Sequence, residues 1–323
     1  RVANNKYLAI TIDIIAILTT VLGVTTSLGL GTIQISSGLS YVFSIPESFL
    51  NRVIIIVIIT LIGLASVCLG LDKGIKRLSQ INMILATLLM MFIFLLGPTV
   101  FILNALIQNF GSYVNTLIQS ATWTEVYEST TWQNGWTLFF YTWWFAWAPF
   151  VSLFIARISY GRTIKEFIIG VLFVPSLIVF LWMGIFGNAA IYQVINETSQ
   201  LNDIVNNNYT VALFALFDVY PIAKIVSILA LLIIVTFFVT SSDSGALVAS
   251  MLSSKSHVGI HDDSPILSRV TWAVLLGIIA AVLLYKGGLT ALQTSVVICG
   301  VPFSIIVVFA CRQLYKSLDS ELE

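Results

Sequence analysis

The chain has 323 residues, of which 58% are hydrophobic and only 9% charged, whereas water-soluble domains carry about 25% charged residues. So little charge cannot cover a water-facing surface, and the soluble enzymes are excluded. Fifteen basic residues balance fifteen acidic ones, so the basic footprint that nucleic-acid binding needs is also missing.

A bilayer core about 30 Å thick is crossed by roughly 20 apolar helical residues. Such runs are predicted at 8–30, 51–71, 78–106, 136–157, 164–192, 222–252, 268–286 and 289–311, which makes an all-α polytopic membrane protein with eight crossings. Arg1 and Lys6 precede the first run. Lys73, Lys76 and Arg77 follow the second, Arg157, Arg162 and Lys165 the fourth, and Arg312 and Lys316 the eighth, while Lys255 and Arg269 flank the loop after the sixth. The stretches 31–50, 107–135 and 193–221 contain no Lys or Arg. By the positive-inside rule both ends of the chain are then cytoplasmic, and a multi-pass protein of a cell membrane is expected. No signal-peptide pattern precedes the first run, and the start at Arg1 is expected to be that of a fragment.

No linker composition interrupts the chain, so a single transmembrane domain is expected. It divides into helices over 1–106, an interfacial segment over 107–133, helices over 134–316 and a cytoplasmic tail over 317–323. Within the interfacial segment Phe110, Tyr113, Val114, Leu117, Ile118 and Ala121 form a stripe of period 3.6, as in an amphipathic helix lying on the outer membrane face. Such a helix serves equally as a connector or as a contact between subunits. Cys68, Cys299 and Cys311 are scattered among apolar residues, and His257 and His261 stand beside Asp262 and Asp263 in a polar stretch. Neither set reads as a disulfide framework or a metal site, and no cofactor is expected.

Polar groups inside a span must be satisfied by the protein, which makes them the informative residues. The first span carries Thr19, Thr20, Gly23, Thr25, Thr26, Ser27, Gly29 and Gly31. The sixth carries Thr236, Thr240, Ser241, Ser242, Asp243, Ser244 and Gly245. Hydroxyls and freed carbonyls are the hard oxygen ligands that Na⁺ uses, although each alone also fits a helix whose hydroxyls bond back to the preceding turn. Their place five helices apart suits two repeats, each supplying half of an ion pathway. Asp243, the one acidic residue deep in a later span, is expected to orient the hydroxyl cluster, with proton coupling as a rival role.

Six of the eight tryptophans lie between residues 123 and 147. Trp132 and Trp136 fit interface anchors. Trp143, Trp144 and Trp147 lie two to three turns deeper, where a cage of rings can hold a quaternary ammonium by cation–π attraction of about 2 kcal/mol or more per desolvated ring. A tight aromatic core is the alternative reading.

The run GWTLFFYTWWFAW at 135–147, ARISYGRTIKEF at 156–167, LTTVLGVTTSLGLG at 18–31 and TFFVTSSDS at 236–244 together resemble the betaine/carnitine/choline transporter family along all eight spans. The resemblance implies a LeuT-like core of two inverted five-helix repeats, with the last three helices of the first repeat and all five of the second present and the family's first four helices outside the chain. It implies that Trp144 belongs to an aromatic box around a trimethylammonium group, that Trp143 and Trp147 hold substrate on its inward path, and that Phe139 lines the outer gate. One sodium site would use Thr20 and Phe150, the other Phe237, Thr240 and Ser241. Two departures stand out: Tyr141 replaces a tryptophan of the family signature, and Val24 takes the place of a second sodium-binding threonine.

The reading that follows is a secondary transporter, not an enzyme. It would import glycine betaine or choline with Na⁺ by alternating access, as a homotrimer in the lipid bilayer. The rival transport readings are sodium-independent exchange of carnitine-like substrates and proton-coupled choline uptake. The rival outside transport is a membrane scaffold whose tryptophans only pack.

Overall fold

The computed structural model describes residues 6–69, 76–128, 130–254 and 264–322. Arg1, Lys73, Lys255, His257, His261, Asp262 and Asp263 lie outside the described residues. The long helices are α1 (Lys6–Phe43), α2 (Phe49–Leu69), α3 (Lys76–Leu96), α4 (Thr99–Thr122), α5 (Phe139–Ile158), α7 (Val174–Ile195), α10 (Ala223–Ser253) and α11 (Ile266–Leu322). Short α6 (Ile164–Ile168) runs through a π-helical turn into α7, and α8 (Leu201–Asn207) and α9 (Ala212–Phe217) fill the connection to α10.

Seven helices among the described residues are long and apolar enough to cross a membrane, against the eight runs read from the sequence. The difference lies in α11. Its 57 residues would extend about 85 Å as one helix at 1.5 Å per residue, far more than a bilayer core. The chain breaks at Gly288, whose φ of 55° and ψ of −136° are not helical and suit a residue without a Cβ. The two halves correspond to the runs predicted at 268–286 and 289–311.

Two other boundaries move. Residues 31–43, expected as a loop, continue α1, and Ile35, Ser36 and Ser37 are buried there. The run predicted at 78–106 is cut at Gly97–Pro98, because proline cannot donate to the preceding turn. Thr99 Oγ1 instead donates to the Phe94 carbonyl at 2.7 Å, satisfying one acceptor that the end of α3 leaves open. The predicted interfacial helix is therefore the second half of α4. Its ring stripe meets α7, where Tyr113 and Phe180 lie edge to face at 5.3 Å.

Side-chain bonds show which connections share a face. Tyr41 donates to the Asp218 carboxylate, Thr210 Oγ1 donates to Ser37 Oγ at 2.8 Å, and the rings of Phe49 and Tyr285 are 5.0 Å apart. These contacts gather the α1–α2 connection, the α8–α9 segment and the break in α11 at one end. At the other end Trp272 Nε1 donates to Ser253 Oγ at 2.8 Å, and an Arg157 guanidinium N–H approaches Met251 Sδ at 3.8 Å. The chain thus alternates between two faces, as membrane crossings require.

Helix α1 is the axis of the packing, touching α5, α10 and α11. One apolar cluster joins Leu28, Ile35 and Val239 to Ala280 and Leu292. Another joins Val21 and Val24 to Phe150, Ala246 and Leu276.

Candidate functional site

The aromatic helix α5 is anchored before it starts. The Glu125 carboxylate accepts from the backbone N–H of Trp132 at 3.2 Å and of Gln133 at 2.8 Å. A carboxylate there accepts from amides at the positive end of the helix dipole, and the Trp132 N–H also reaches Thr130 Oγ1 at 3.4 Å. A π-helical turn at Gln133–Leu138 then leads into α5. Trp132 and Trp136 are exposed, and Trp136 stacks on Phe140 with centroids 5.9 Å apart.

Phe140, Trp143, Trp144, Trp147, Ala148 and Val151 line an open recess of about 560 Å³, within the range of small-molecule sites. The three deep tryptophans are thus brought to one place, with Trp144 the most open at 75% exposure. Phe139 is buried and does not line the recess. It stacks against Trp143 at 5.2 Å with an interplanar angle of 23°. On the other side Phe150 meets Trp147 edge to face at 5.4 Å. Trp143 Nε1 and Trp147 Nε1 each donate to the carbonyl oxygen of Gly23, both at 3.3 Å. Two of the three indole N–H groups are therefore tied to α1, and the recess presents mainly ring surface.

The hydroxyls expected as ion ligands fall into two groups. On α10, Thr240 Oγ1 and Ser241 Oγ both donate to the Phe237 carbonyl, at 2.9 and 3.0 Å. Each hydroxyl spends its proton there, leaving its oxygen lone pairs able to accept or to coordinate. Both residues are half-buried, and Phe237 is 39% exposed. On α1, Thr20 is buried and its Oγ1 has no hydrogen-bond partner in the structure. Phe150 packs in one cluster with Val21 and Val24, so the turn of α1 that bears Thr20 meets Phe150. Val24 closes against α10, where a Cβ on Gly245 would lie 2.8 Å from its Cγ1.

Asp243 meets one hydroxyl of its own cluster and one from outside it. It is fully buried, and of the hydroxyls on its own helix it bonds Ser244, whose Oγ donates to Oδ1 at 3.0 Å. Its shorter bond is to α2, where Ser66 Oγ donates to Oδ2 at 2.6 Å. Thr240 and Ser241 bond the helix backbone instead. The carboxyl therefore ties α2 to α10. Sequence reasoning also missed Ser66, Glu125 and the Gly23 carbonyl. Glu125 carried a legible signal, an acid shortly before an aromatic helix, whereas a backbone carbonyl carries none.

A family profile described as "BCCT, betaine/carnitine/choline family transporter" matches residues 2–323. The chain is 42% identical to a glycine betaine transporter of Acinetobacter baylyi, over 95% of this chain and 46% of that protein. It is 42% identical to the glycine betaine transporter OpuD of Bacillus subtilis, over 96% of this chain and 60% of that protein. A high-affinity choline transport protein of Escherichia coli is 39% identical, over 96% and 46% respectively. The chain thus spans about half the length of these relatives. With a profile match over nearly all of its residues, the chain belongs to the betaine/carnitine/choline family of transporters.

Proposed function

We propose that the chain is part of a secondary transporter that imports a quaternary ammonium osmolyte, glycine betaine or choline, together with Na⁺ by alternating access. The observation that carries this reading is the recess of three indoles. A trimethylammonium group has no N–H to donate and binds instead to aromatic rings, and Trp143, Trp144 and Trp147 all line the recess. The relatives described as glycine betaine and choline transporters support the same substrate class. The experiment is uptake by the transporter that carries this chain. Trp144→Leu raises the half-saturating substrate concentration about tenfold, the loss expected for one cation–π ring. Wild-type uptake in that variant refutes the site.

For Na⁺, the Thr240 and Ser241 oxygens form one hard-ligand pair, and Thr20 beside Phe150 offers a second, poorer site. Val24 supplies no oxygen there. That valine favours a second reading, sodium-independent exchange, which is separated by replacing external Na⁺ with K⁺ in an uptake assay. Retained uptake supports exchange, and its loss supports symport.

The proposal extends to a LeuT-like inverted-repeat arrangement, a homotrimer, and a cell-membrane orientation with the basic connections cytoplasmic. The exceptions to that charge pattern are mild. Arg52 pairs with Glu47 at 3.2 Å, Lys286 lies over the Tyr285 ring at 5.4 Å, and Lys224 is exposed in the first turn of α10.

A further inference from the structure

The Gly23 carbonyl oxygen receives three side-chain donors: Trp143 Nε1 at 3.3 Å, Trp147 Nε1 at 3.3 Å and Ser27 Oγ at 3.2 Å. The indoles are four residues apart on α5 and hence on one face, yet both converge on a single atom of α1. The convergence depends on close helix approach at a residue without a side chain. A Cβ on Gly23 would lie 3.2 Å from Ala146 Cβ, from the Ala146 oxygen and from Trp147 Cδ1.

An indole is negative on its faces and positive along its edge. Its N–H is the most positive point of that edge. A recess walled by indole faces attracts a cation, whereas one into which N–H edges point repels it. The two N–H groups are held out of the way by Gly23, while Phe139 and Phe150 fix the ring planes from either side.

We infer that the backbone carbonyl of Gly23 is a positioning group for cation selectivity: by occupying the N–H groups of Trp143 and Trp147 it turns their faces toward a quaternary ammonium. This rests on the substrate reading given above and adds a role for a helix that does not itself line the recess. The Cβ introduced by Gly23→Ala forces α1 and α5 apart by a few tenths of an ångström. Both N–H bonds, already long at 3.3 Å, are lost, and the indoles are free to turn.

The test is tryptophan fluorescence quenching of the transporter that carries this chain, in lipid nanodiscs. It is titrated with glycine betaine and with 3,3-dimethylbutyrate, in which a carbon replaces the quaternary nitrogen and the head group is uncharged. In the wild type glycine betaine binds more tightly than the isostere. In Gly23→Ala that preference falls about tenfold, a change of the size one cation–π ring supplies. The ultraviolet resonance Raman band that reports indole N–H hydrogen bonding shifts with it. A purely structural role for Gly23 weakens both ligands equally and leaves their ratio unchanged, which overturns the inference. Replacing Trp147 by β-(3-benzothienyl)alanine removes the N–H and keeps the ring volume. It lowers the same ratio and decides the matter if Gly23→Ala does not fold. Gly187→Ala, where an added Cβ meets nothing within 4 Å, serves as the unchanged control. Absence of saturable quenching in the wild type refutes the substrate reading itself. A wild-type ratio in both variants refutes only the role of the carbonyl.

Discussion

The contact between α11 and the aromatic helix is set by one missing side chain, and adding it back has a calculable consequence. A Cβ on Gly300 would stand 2.4 Å from the carbonyl oxygen of Thr142, 3.0 Å from its carbon and 3.1 Å from its Cβ. Carbon and carbonyl oxygen ordinarily approach to about 3.3–3.6 Å, so Gly300→Ala requires roughly 1 Å of separation between two helices. The atom in the way belongs to a helical backbone and cannot rotate aside as a side-chain tip would. Overpacking of this kind costs about 1–3 kcal/mol, and the gain from alanine over glycine inside a helix returns up to about 1 kcal/mol. The net is a loss of between about 0 and 3 kcal/mol, centred on about 1.5 kcal/mol, or a drop in Tm of roughly 3–6 °C at about 2–4 °C per kcal/mol. Thermal unfolding in nanodiscs, followed by tryptophan fluorescence, measures it directly, because Trp143 adjoins Thr142. Gly187→Ala brings the helix-propensity gain without the collision and raises Tm. If Gly300→Ala melts at or above the wild-type temperature, the close approach of α5 and α11 is wrong.

Two further outcomes follow from the polar contacts. Ser66→Ala removes the donor to Asp243 Oδ2 and leaves a buried carboxyl oxygen without that partner, at a cost of about 1–3 kcal/mol. It lowers Tm, whereas the same change at Ser320, an exposed hydroxyl bonded to its own helix, leaves Tm within about 1 °C by the small effects usual at surfaces. Val24→Thr keeps the volume that closes against Gly245 and adds a hydroxyl one turn from Thr20. In the transporter that carries this chain it lowers the half-saturating Na⁺ concentration, while Ser241→Ala raises it. Unchanged Na⁺ dependence in both variants removes both sodium-site assignments.

Most of the architecture was legible in the sequence because a bilayer imposes length and polarity on any chain that crosses it. Apolar runs of about twenty residues and the one-sided placement of Arg157, Arg162 and Lys165 depend on composition alone. So does the depth of Trp143, Trp144 and Trp147 along their helix. Helix ends were less legible. Residues 31–43 look like a loop because they are polar and glycine-bearing, but Ser37 is held by Thr210 and the turns around it are covered by Phe214 and Leu231. Partners of that kind come from distant parts of the chain, and local composition carries no trace of them.

What the sequence by itself determined is the class of the molecule and the inventory of its chemistry: rings, hydroxyls and glycines in a membrane, with one deep carboxyl. What only the tertiary structure decided is which of these meet. Asp243 accepts from Ser66 on α2 as well as from Ser244 on its own helix, Phe139 lies beneath the recess, and two indoles share the carbonyl of Gly23. The reason is physical. Burial and periodicity are properties of a segment, whereas the pairing of one donor with one acceptor depends on how closely two helices approach. In this chain that approach is controlled where a side chain is absent, at Gly23, Gly245 and Gly300.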